Sequence, residues 1–145
     1  MPASYQIDTR RSLVCVEHFG PRNQQQFFAL IDRLLADPRL RPGMHYLSDH
    51  SRETMIQTPD GVIATLPRFA EFIHYLQASR VAVITSTRAQ LGMAHFAAVY
   101  ARDRGIELRP FQDRGEAEVW LCGEASPRRR EKREATPRFW VRPLP

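Results

Sequence analysis

Two adjacent strand signals, then three rounds of helix and strand closed by a last helix, constrain this chain more than any other feature. Tyr5-Gln6-Ile7 starts a short strand, and Asp8-Thr9-Arg10-Arg11 reads as the turn of a hairpin. Leu13-Val14-Cys15-Val16-Glu17-His18-Phe19 returns from it as an apolar, β-branched strand ended by Gly20-Pro21. Asn23 and Gln26 have the spacing of a capping box. Phe27, Leu30, Ile31 and Leu34 then recur at i, i+3, i+4 and i+7, the period of a helix with one buried face. Asp37-Pro38 ends that helix, because proline disfavours helical geometry in the residue before it.

Met44-His45-Tyr46-Leu47-Ser48-Asp49 is the third strand and turns polar at its carboxyl end. Thr58-Pro59-Asp60 has the form of a helix start, with proline where its missing N–H costs nothing. Pro67 would break a hydrogen bond inside such a helix. The expectation is therefore a helix over about 66–78, with Phe69, Phe72, Ile73 and Leu76 inward and 59–65 open as a kinked extension. Arg80–Thr85 is nearly continuous in apolar residues, as a strand buried on both faces should be. Thr87 and Gln90 form the next capping pair, on a helix reaching about Arg104 and stopped by Gly105. Its small residues Ala94, Ala97, Ala98 and Ala101 permit close packing on a sheet. Ile106–Phe111 reads as an edge strand, since Pro110 cannot donate to a ladder. Asp113 and Glu116 start a final helix that carries Ala117, Trp120 and Leu121 inward.

The order is β-β-α-β-α-β-α-β-α, the pattern of an α/β domain. Helices of crossover length join the later strands, which predicts parallel pairing through right-handed connections. The first hairpin adds an antiparallel strand. The expected architecture is a single domain over 1–123, a mixed and mostly parallel five-stranded sheet with four helices, followed by a basic, flexible tail over 124–145.

Charge separates these two parts. The chain carries a net +5, and residues 126–145 account for it with Arg128, Arg129, Arg130, Lys132, Arg133, Arg138 and Arg142 against Glu131 and Glu134. The remainder holds fourteen residues of each sign, so any argument from basicity concerns the tail alone. No basic segment followed by an apolar run opens the chain, and no stretch has the length of a membrane span. Cys15 and Cys122 are far apart and lack a ligand spacing, which fits small buried hydrophobes. A cytoplasmic protein is the expectation.

The chain resembles the SpoIIAA-like branch of the STAS superfamily, often described as STAS/SEC14-like proteins, from about Tyr5 to Leu121. The resemblance is carried by Leu34-Leu35-Ala36-Asp37-Pro38-Arg39-Leu40-Arg41-Pro42-Gly43-Met44, by Val81-Ala82-Val83-Ile84, and by Phe111-Gln112-Asp113 with Ala117 and Trp120-Leu121. It implies a regulatory module that binds a ligand or a protein, usually without catalysis. In anti-sigma-factor antagonists of this superfamily a serine in an Asp-Ser-Ser-Gly-like turn before the second helix is phosphorylated. Here Gln57-Thr58-Pro59-Asp60-Gly61 stands at that place, and Thr58 is the only hydroxyl there. Thr58 is thus the candidate phosphoacceptor or, more plainly, an N-cap.

Open α/β sheets bind ligands beyond the carboxyl ends of their strands, which nominates two segments as a binding rim. They are Tyr46, Ser48, Asp49, His50 and Ser51 after the third strand, and Thr85, Ser86, Thr87 and Arg88 before the third helix. Ser48, Asp49 and His50 spell a hydrolase relay, but alternation along a strand keeps adjacent residues on opposite faces. No Gly-x-Ser-x-Gly elbow accompanies them, so no catalytic residue is expected. His18, His45, His50, His74 and His95 show no ligand spacing, and neither a metal nor a cofactor is expected. Phe69, Phe72, Tyr75, Phe96 and Tyr100 are core residues by spacing, and a surplus among them would line an apolar pocket.

The leading expectation is a non-catalytic regulatory or binding module for a protein partner or small ligand. A carrier or sensor of a lipid or other apolar molecule is the alternative. Nucleic acid or an anionic membrane surface could be bound only through 128–142, where Phe139-Trp140-Val141 follows the arginines. Exposed strand edges also allow a homodimer.

Overall fold

A computed structural model describes residues 3–21, 23–54, 57–78 and 80–123. The tail and the readings attached to it lie outside the described residues. The elements follow the expected order: β1 (Ala3–Asp8), β2 (Leu13–Gly20), α1 (Gln24–Ala36), β3 (His45–Glu53), α2 (Pro59–Tyr75), β4 (Arg80–Ile84), α3 (Arg88–Arg102), β5 (Glu107–Phe111) and α4 (Arg114–Cys122).

The five strands lie side by side in chain order, with β1 antiparallel to β2 and the other pairs parallel. A monotonic order has a consequence for the helices. Successive right-handed crossovers that all step the same way leave their helices on the same face of the sheet. The main core accordingly joins Val14, Val16, Tyr46, Val81 and Val83 to Leu30 and Leu34 of α1, Phe69 and Ile73 of α2, and Ala94 and Ala101 of α3. The opposite face carries Leu13, Cys15, Leu47, Ala82 and Ile84, covered by Ala117 and Leu121 of α4. Odd and even strand positions thus serve two separate apolar layers, which is why β4 reads as an unbroken apolar run.

Two boundaries differ from the sequence reading. α2 runs unbroken from Pro59 through Pro67 and stops at Tyr75, three residues before the expected end. Pro67 leaves the carbonyl of Ile63 without its helical donor, but Pro67 and Ile63 both lie on the exposed side, where water can replace it. β3 extends four residues beyond Asp49, and that extension carries part of the site described below.

A polar cluster ties α4 to the sheet. Glu118, only 2% exposed, accepts from Arg11 at 2.8 Å and from Arg114 at 3.1 Å, and Arg114 also reaches Glu17 at 3.3 Å. Beside it, burial pushes the Cys15 thiol up to about 11. Among the described residues no helix is long and apolar enough to cross a membrane.

Candidate functional site

β2 and β3 pair in register as far as Glu17 and Asp49, and then the register shifts. Two residue steps along β2, from Glu17 to Phe19, span the same length as three along β3, from Asp49 to Arg52. The extra residue on β3 reverses the alternation of its side chains. Ser48 and His50 share the face that looks toward the helices, and after the bulge Glu53 joins them in place of Arg52. Arg52 instead lies over the Phe19 ring, 5.7 Å from its centroid.

The result is a chain of hydrogen bonds. His50 Nδ1 lies 2.7 Å from Glu53 Oε1, and His50 Nε2 lies 2.7 Å from Ser48 Oγ. Ser48 Oγ in turn lies 3.2 Å from Nε2 of His18, a buried residue of β2. The His18 and His50 rings stack with centroids 4.3 Å apart and planes 9° from parallel. His18, Ser48 and the Glu53 side chain are each no more than 5% exposed. Burying these three polar groups at one end of an apolar core is costly unless each is hydrogen-bonded, as these are.

α3 is anchored to the same place. Gln90 donates from Nε2 to the carbonyl of His50 at 2.8 Å and accepts from the N–H of Ser86 at 2.8 Å. Ser86 Oγ also donates to the Ser51 carbonyl at 3.1 Å. Between this polar end and the helices lies a cavity of about 100 Å³. Its walls are Phe27 of α1, Val62, Leu66 and Phe69 of α2, Met93, Ala94 and Ala97 of α3, and Val81, Val83 and Leu108 of the sheet. Thr65 and Gln57 add two polar groups near the mouth, joined by a long contact of 3.4 Å.

Only part of the expected rim lines the cavity. Ser48 and His50 line the cavity. Tyr46 shares their face but is 1% exposed and packs edge-on against Phe69 and Phe72, a core position one pleat deeper. Asp49 points to the other face, where its carboxylate accepts from Ser51 N–H and Oγ–H at 2.9 and 2.6 Å. Thr85 is buried, Thr87 caps α3 by accepting from Gln90 N–H at 3.1 Å, and Ser86 and Arg88 are exposed. Thr58 caps α2 through Gly61 N–H at 3.0 Å. Of the five aromatics singled out, Phe69 alone lines the cavity, while Tyr75 is exposed and Phe96 packs at a tilt against Tyr100.

Sequence reading missed His18, Glu53, Gln57 and Gln90. It also excluded a Ser-His-carboxylate relay by considering Asp49 alone; alternation does remove Asp49, and the bulge supplies Glu53 instead. The histidine spacing gave no metal signal either, yet one ligand atom each from His18, His50 and Glu53 fall within 4.8 Å of one another. In the stacked arrangement the in-plane lone pairs of the two rings run side by side and do not converge. A metal at about 2.0–2.1 Å from both nitrogens would require the rings to tilt.

No protein-family model matches the chain, and no curated protein matches it in sequence. In structure it is similar to an uncharacterised protein of the DUF3478 family from Shewanella loihica PV-4, described as having a SpoIIAA-like fold. The two share 18% identity and superpose with a TM-score of 0.57 over 83% of this chain and 94% of that one. With a five-stranded mixed sheet, four helices and this match, the chain has the SpoIIAA-like fold.

Proposed function

We propose that the chain is a binding module for a small molecule with an apolar body and a hydrogen-bonding end. One observation carries the reading: an apolar cavity between the sheet and three helices terminates on the buried group of His18, Ser48, His50 and Glu53. Such a combination, mostly apolar walls with a few convergent polar groups, is the usual make-up of a ligand site. Size narrows the ligand. An engineered apolar cavity of about 150 Å³ binds benzene, so about 100 Å³ limits the ligand to a single ring or a short branched chain at most. A full-length acyl chain, the lipid-carrier alternative, would need α2 and α3 to part.

Thermal-shift and ligand-observed NMR measurements with benzoate, phenol, isovalerate and palmitate test this. The ring-sized or branched probes are expected to raise Tm, with palmitate giving no rise. Ala97→Phe, which fills the cavity from α3, should abolish the effect. Absence of a response to every small probe, or the same response in the filled variant, would refute the reading.

A further inference from the structure

We propose that Ser48 is a nucleophile and that the chain hydrolyses small carboxylic esters, with His50 as general base and Glu53 as its positioning residue. The inference rests on the ligand reading above, because the acyl group would occupy the same cavity.

The directions of the hydrogen bonds follow from what each group can do. An ionised carboxylate only accepts, so Glu53 takes its 2.7 Å bond from His50 Nδ1–H. Nε2 of His50 then carries a lone pair and accepts the Ser48 hydroxyl proton at 2.7 Å. In that arrangement, with a neutral His50, the 3.2 Å contact runs from His18 Nε2–H to Ser48 Oγ. Nucleophile, base and orienting carboxylate therefore stand in the order that acyl transfer requires.

In the first step Ser48 Oγ bonds to the ester carbonyl carbon and its proton passes to His50 Nε2. The carbon–oxygen bond to the alcohol then breaks, and the departing oxygen takes the proton from His50. Water attacks the acyl-Ser48 ester, gives a proton to His50, and the carboxylic acid leaves as Ser48 Oγ recovers it. Ester and water become acid and alcohol, and no other reactant is needed. Outside the relay, His18 Nε2 lies 3.2 Å from Ser48 Oγ, and the Gln57 carboxamide lines the same cavity.

The test uses the full chain with p-nitrophenyl isobutyrate and, separately, a small alkyl fluorophosphonate, read by intact-mass spectrometry, peptide mapping and p-nitrophenol release. A single adduct on Ser48 and turnover that saturates with ester concentration are expected. Ser48→Ala should lose both, and His50→Ala should lower the rate about 10²- to 10⁴-fold. Glu53→Gln should lower kcat with KM unchanged, and Glu53→Asp should recover part of it; a merely structural carboxylate would not split the two constants. No adduct on Ser48, with the small-probe Tm rise intact, overturns the inference and leaves the binding reading standing. Loss of both removes the two together. Stoichiometric Zn²⁺ uptake that His18→Ala and His50→Ala abolish, without an adduct on Ser48, also overturns it, in favour of a metal centre.

Discussion

His18 of β2 and His50 of β3 lie ring on ring, their centroids 4.3 Å apart, with Ser48 Oγ held between their Nε2 atoms. Substituting His18 therefore removes both a stacked ring and a buried donor. His18→Ala is expected to cost about 2–4 kcal/mol, the sum of a cavity and a lost buried hydrogen bond. His18→Phe keeps the ring and should cost roughly 1–3 kcal/mol, the share of the lost bond. Urea denaturation of the two variants checks the order.

Glu118 is the buried centre of the cluster between Arg11 and Arg114. Glu118→Ala leaves two partly buried guanidinium groups facing each other without their carboxylate. A loss of about 3–5 kcal/mol is expected, with little relief at high salt because the pair is shielded from counterions. Equal stability of variant and parent in urea would show that the cluster contributes nothing net.

Thr58 accepts from Gly61 N–H at the start of α2. Thr58→Ala should cost about 1 kcal/mol, whereas Thr58→Asp should be close to neutral, since aspartate caps at least as well and stands at the positive end of the helix. Matched Tm values for all three proteins would argue against the cap.

His45, at the start of β3, is held below its ordinary value of 6.5 by burial first and by the charge of Arg80 second. The unfolded chain therefore takes up this proton before the folded one does. The neutral imidazole's contribution to stability is complete above pH 6.5 and is lost as pH falls below it, toward the lower folded value. Tm measured from pH 8 to pH 5 should fall less in His45→Gln than in the parent.

Cys15 is buried with its thiol pushed up to about 11, while Cys122 is partly exposed. Iodoacetamide at pH 8 should label Cys122 first and reach Cys15 only as the chain unfolds. Peptide mapping after a short exposure decides this.

Local pattern made most of the fold legible. The caps at Asn23, Thr58 and Thr87 accept from the N–H three residues on, as their spacing implies, and Asp113 caps α4 one residue earlier, through Gly115 N–H. The apolar run of β4 and the proline of β5 correctly mark a central and an edge strand. Pro67 was misleading because the cost of a helical proline depends on which way the orphaned carbonyl faces, and that depends on packing.

The sequence by itself determined the element order and the parallel pairing, because these follow from periodicity, capping and the length of the connections. Half of the candidate site was legible in the same way, as Ser48 and His50 at the carboxyl end of a strand. Only the tertiary structure decided what they meet. His18 arrives from the neighbouring strand, and Glu53 reaches the helix face through a bulge whose single extra residue reverses the alternation. Which side chains touch across a sheet is set by register, and register is a property of two strands together.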